Sequence, residues 1–122
     1  MRTAAAKHYV WSAGNLWTST DSGATWTEDT SIGATKEWSS VAMSADGTKQ
    51  TAAADNLWTS TDSGATWTED TSVGATKTWN AVAMSADGTK QTAAEAEWVP
   101  SGWGNLWTST DSGATWTEDT SV

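Results

Sequence analysis

The segment NLWTSTDSGATWTEDTS runs from Asn15 to Ser31 and returns without a change at Asn56–Ser72 and Asn105–Ser121. A second segment, GATKxWxxVAMSADGTKQTAA, occurs at Gly33–Ala53 and again at Gly74–Ala94. Asn15 and Asn56 are 41 residues apart, Asn56 and Asn105 are 49 apart, and the eight extra residues fall just before the third NLW. Repetition at this period is the signature of folds built by stacking like units. Drifted repeats differ at exposed positions, so identity this complete means recent duplication or deliberate construction.

One unit reads as four short strands. Trp38–Ser44 is closed by Ala45-Asp46-Gly47, a pair type (Asp-Gly) suited to tight hairpins because both residues tolerate positive φ. Lys49–Ala54 follows and turns at Asp55-Asn56, Leu57–Thr61 turns at Asp62-Ser63-Gly64, and Ala65–Thr71 closes the unit. Four antiparallel strands in about 41 residues is the period of a propeller blade. The Trp, Thr and Gly spacing has no 3.6-residue period, which excludes a helical reading. The expected fold is therefore all-β, made of four-stranded β-propeller blades. Residues 1–32 form a partial blade lacking its first strand, with an insert at 7–14. Residues 33–73 form a full blade, and 74–122 a full blade with an insert at 95–104.

Ser19-Thr20-Asp21-Ser22-Gly23-Ala24-Thr25-Trp26 reads S-x-D-x-G-x-T-W, as do Ser60–Trp67 and Ser109–Trp116. All three resemble the Asp-box, or BNR repeat, of sialidase-like and sortilin-like propellers. The resemblance implies a structural motif lying away from any active face. The residues point the same way. Gly23, Gly64 and Gly113 permit a left-handed turn. Asp21, Asp62 and Asp111 can accept from turn N–H groups, with Ser19, Ser60, Ser109, Thr25, Thr66 and Thr115 adding hydroxyl bonds. Trp26, Trp67 and Trp116 are then free to fold over the turn or into a gap between blades, against the small Ala side chains of the second strands. One carboxylate per loop is too few for a calcium cage, so no metal and no cofactor are expected.

A sialidase-like site needs an arginine cluster, a tyrosine nucleophile and acid–base carboxylates. The chain has one Arg, Arg2, and one Tyr, Tyr9, so no catalytic residue is carried over and no enzyme is expected. The pairs Glu28/Asp29, Glu69/Asp70 and Glu118/Asp119 repeat identically, which suits solvated strand ends better than one tuned catalytic pair.

Composition bounds the partners. Ser and Thr make up roughly a third of the 122 residues, Trp occurs eleven times, and Phe and Cys are absent. An ordinary aliphatic core is unavailable, disulfides and thiolate metal sites are excluded, and the enrichment favours strands. Fifteen acidic against six basic residues give a net charge of −9, which argues against nucleic acid and against anionic membranes. The N-terminal stretch, with Lys7 and His8 where an apolar run would stand, does not read as a secretory signal, and no apolar run is of membrane-spanning length.

The inserts break the repeat symmetry, since the middle unit makes the same connection with Ala54-Asp55 alone. They carry His8, Tyr9 and Trp11 in one case and Glu95, Glu97, Trp98 and Trp103 in the other. Loops on one propeller face often bind. Two uses are expected for these aromatics, a contact with another chain or stacking on a glycan. A closed propeller needs at least about four blades. The chain is therefore expected to complete its fold as a homo-oligomer, a dimer above all, acting as a scaffold or interaction module. The alternatives are an open solenoid in architecture and a lectin-like glycan binder in function.

Overall fold

The computed structural model describes residues 2–5, 14–33, 35–74, 76–96 and 104–121. Every regular element among them is a β-strand. β1 (Arg2–Ala5), β2 (Leu16–Ser19) and β3 (Thr27–Asp29) form a three-stranded sheet in that order. β4 (Ser40–Met43), β5 (Gln50–Ala53), β6 (Leu57–Ser60) and β7 (Thr68–Glu69) form the second sheet. The third is built from β8 (Trp79–Met84), β9 (Gln91–Glu95), β10 (Leu106–Ser109) and β11 (Thr117–Asp119). Each strand pairs antiparallel with its sequence neighbour inside its sheet, the meander of a propeller blade. Among the described residues the first sheet holds no counterpart of β4 and β8.

The register repeats from blade to blade. Ala52 faces Trp58 and Ala53 faces Leu57, while Ala93 faces Trp107 and Ala94 faces Leu106. Alternation along a strand sends neighbouring residues to opposite faces. Ala53 and Leu57 of the second blade accordingly join Trp79, Ala93, Trp107 and Trp116 of the third in one buried cluster. Leu16 of the first blade joins Trp38, Ala52, Ala54 and Trp67 of the second in another. The core thus lies in the seams between sheets. One wall of each seam carries Trp and the other carries Leu, which is how a chain without Phe reaches close packing. Within a blade, Trp38 meets Trp58 edge-on at 6.5 Å and Trp79 meets Trp107 at 6.2 Å, the favoured T-shaped geometry.

Three local expectations change. The fourth strand, expected over Ala65–Thr71, shrinks to Thr68–Glu69 in the second blade. Its first part is held in the turn by Asp62, and Asp70 Oδ1 accepts from Ser72 N at 2.7 Å, which bends the chain away. The first strand of the second blade begins at Ser40, whereas that of the third reaches back to Trp79 across a register shift between Trp79 and Ala81. In the Asp-Gly turns only the glycine takes positive φ, 75° at Gly47 and 72° at Gly88. Asp46 serves instead as an acceptor, with its Oδ1 receiving Thr48 N at 3.0 Å and Ser44 Oγ at 2.7 Å.

Candidate functional site

The three S-x-D-x-G-x-T-W turns have one geometry. In the second blade Ser60 Oγ accepts from Gly64 N at 2.9 Å and donates to Asp62 Oδ1 at 2.7 Å. Asp62 Oδ1 also accepts from Thr66 N at 2.9 Å, and Oδ2 accepts from Thr66 Oγ1 at 2.5 Å. Ser19, Asp21, Gly23 and Thr25 repeat this network in the first blade, and Ser109, Asp111, Gly113 and Thr115 repeat it in the third. Ser22, Ser63 and Ser112 take positive φ values of 62°, 64° and 63°, a serine conformation the motif alone did not disclose. No group of three or more potential metal-ligating His, Cys, Asp or Glu side chains occurs among the described residues.

The hydroxyl and amide of Thr25 and the hydroxyl of Ser19 hold the Asp21 carboxyl at about 2, below its usual 3.8. Thr66 with Ser60 does the same for Asp62, and Thr115 with Ser109 for Asp111, again to about 2. The folded state therefore binds fewer protons than the unfolded one near pH 3. The stabilisation is complete above the ordinary carboxylate range and fades as pH falls through about 2. The melting temperature is expected to drop between pH 4 and pH 2, and to drop less steeply in the triple variant Asp21→Asn, Asp62→Asn, Asp111→Asn. Equal slopes in thermal melts of the two proteins would exclude these carboxylates as the titrating groups.

The repeated carboxylate pairs also have defined partners. Asn15 Nδ2 donates to Glu28 Oε1 at 2.6 Å, and Asn56 and Asn105 donate likewise to Glu69 and Glu118. These bonds tie the start of one strand to the neighbouring strand. Asp29 accepts from Ser31 N at 2.8 Å and from Trp67 Nε1 of the next blade at 2.5 Å. Thus what reads as a solvated strand end also joins two blades. Beside these residues lies a cleft of about 230 Å³ lined by Asn56, Asp70, Thr71 and Gly74. Its equivalent one blade earlier, about 200 Å³, is lined by Asn15, Thr30 and Gly33.

Of the insert residues, His8, Tyr9, Trp11, Glu97, Trp98 and Trp103 lie outside the described residues. Glu95 belongs to β9, not to a loop. Its carboxylate sits 3.3 Å from Lys77 Nζ and accepts from Trp107 Nε1 at 3.2 Å. Lys77 in turn lies 5.1 Å from the Trp107 ring centre, so Glu95 is bound into the framework of its own blade.

The most informative contrasts lie between equivalent residues of different blades. Trp67 and Trp116 are 9% and 5% exposed, because each packs against the blade before it, whereas Trp26 is 40% exposed. Leu16 and Leu57 are each 1% exposed beneath the blade after them, whereas Leu106 is 38% exposed. The same holds for polar groups. Thr51 is fully buried and donates to Gln91 Oε1 of the third blade at 2.6 Å, while its equivalent Thr92 is exposed. Leu16, Leu57 and Thr51, which form the walls opposite, lie outside the S-x-D-x-G-x-T-W motif. The NLW alternation, Leu to one face and Trp to the other, was the available signal.

The chain has the fold of β-propeller blades. No protein-family model and no curated protein matches it. Among solved structures it is similar to Ycf48 bound to a D1 peptide, with a TM-score of 0.64 and 18% identity over 87% of this chain and 33% of that one. It is also similar to the GH74 enzyme of Niastella koreensis, with a TM-score of 0.49 and 36% identity over 66% of this chain and 11% of the enzyme. The chain therefore spans about a third of the first protein and about a tenth of the second. The likeness to Ycf48 bears on the fold.

Proposed function

We propose that this chain is a non-catalytic Asp-box propeller scaffold, an interaction module that completes its propeller by associating with further copies of itself. The observation that carries the reading is the pair of uncovered faces, Trp26 at one end of the blade row and Leu106 at the other. Each is the equivalent of a residue buried at every internal seam. Burying apolar surface contributes roughly 25 cal/mol per Å², so leaving a Trp wall and a Leu wall in water is costly. Two chains, each with three blade-like units, supply enough units for a closed ring of ordinary propeller size. The Asp-box assignment rests on the five defined positions and on the identical turn network at all three sites. The non-catalytic reading rests on the single Arg and single Tyr of the sequence. Light scattering at micromolar concentration is expected to return a discrete oligomer, a dimer of 12.8 kDa chains. A folded species at the mass of one chain would overturn the reading.

A further inference from the structure

The two uncovered faces are unlike one another. The face carrying Trp26 will be called the front and the face carrying Leu106 the back. At both internal seams a front meets a back. Trp67 lies in the buried cluster with Leu16, and Trp116 lies in the one with Leu57. No internal seam joins front to front or back to back.

The backbone follows the same rule. A Cβ on Gly64 would lie 3.1 Å from Thr18 Cγ2 of the preceding blade, and one on Gly113 would lie 2.8 Å from Thr59 Cγ2. Both turns therefore need glycine on the front where threonine stands on the back. The free front offers Gly23 and the free back offers the exposed Thr108, the same two residue types in the same register. Hydrogen bonds from the Trp also cross both seams, though between different atoms. Asp29 receives Trp67 Nε1 across one seam, and Ser72 Oγ receives Trp116 N at 3.1 Å across the other. Asp119 and Ser121 are their equivalents on the free back, with Trp26 waiting on the free front.

We infer that the partner of each uncovered face is the opposite face of a second copy, so that the chains join front to back through a contact that repeats the Trp–Leu and Gly–Thr pairings of the internal seams. This rests on the assembly reading above and specifies its interface. The contact is heterologous, because the surfaces that meet are different. On the front it falls to β1, β2 and β3, because the described first sheet holds no counterpart of β4 and β8, the strands that pack against the preceding sheet at the internal seams.

Front-to-back pairing has a signature that symmetric pairing lacks. Trp26→Glu disables the front and leaves the back intact, and Leu106→Glu does the reverse. Each variant alone is expected to lose assembly and run at 12.8 kDa. Their equimolar mixture is expected to recover a 1:1 pair in native mass spectrometry, with the front of the Leu106→Glu chain on the back of the Trp26→Glu chain. Far-UV circular dichroism reports whether each variant is folded. Should Leu106→Glu fail to fold, Thr108→Arg takes its place, since it blocks the close approach of Gly23 from an exposed strand position. A mixture that stays monomeric, or a single variant that keeps the wild-type mass, overturns the front-to-back contact while leaving self-association standing. A monomeric wild-type protein removes both.

Discussion

Trp116→Ala is expected to destabilise the chain by about 3–5 kcal/mol, the cost of deleting a large ring from a packed core. The ring is 5% exposed, shares a cluster with Ala53, Leu57 and Ala93, and donates from Nε1 to Gly113 O at 3.1 Å. Domain stabilities are about 5–15 kcal/mol, so this one residue accounts for a large share. Trp26→Ala removes the same side chain from the same motif, but from a position 40% exposed. In urea unfolding, with the protein diluted until copies separate, the Trp26 variant should lose less than half as much. If the two variants lost equal stability, the ring's contribution would come from its own turn and the seam account would be wrong.

Gly113→Ala should rank next. Gly113 has φ of +83°, and a Cβ there would stand 2.8 Å from Thr59 Cγ2 and 3.2 Å from Gln91 Oε1. The left-handed backbone costs an alanine roughly 1–2 kcal/mol, and the extra atom in a close-packed seam adds about 1–3 kcal/mol. Gly74 has φ of +85° with nothing within 4 Å of a built Cβ, so Gly74→Ala carries the backbone cost alone. The test is a rescue. Adding Thr59→Ser to Gly113→Ala deletes the clashing methyl and should return the steric part of the loss. Failure of the second substitution to restore any stability would show that blade spacing is not set by this glycine and threonine.

These two variants separate what repetition specifies from what stacking specifies. The turn network was legible because it is local. Ser60, Asp62, Gly64 and Thr66 lie within seven residues, and the bonds that join them depend on little beyond that stretch. The four-strand meander was legible for the same reason, since its strand spacing and turn residues recur unit by unit. The limits of β7 were not, because Thr66 and Asp70 are each drawn into side-chain bonds that end the ladder early. Nor was the strand position of Glu95, because its pairing depends on Trp79 and its charge on Lys77, both distant in sequence.

Sequence by itself determined the all-β blade, the three identical turns and the net charge of −9. It could not determine which copy of a repeated residue is buried, because the copies are identical and their surroundings are not. Trp26, Trp67 and Trp116 share one motif, and Leu16, Leu57 and Leu106 share another. Only the stacking order makes Trp26 and Leu106 the uncovered members. Burial is a property of neighbours, and in a row of like blades the neighbours of the first and last differ from those between.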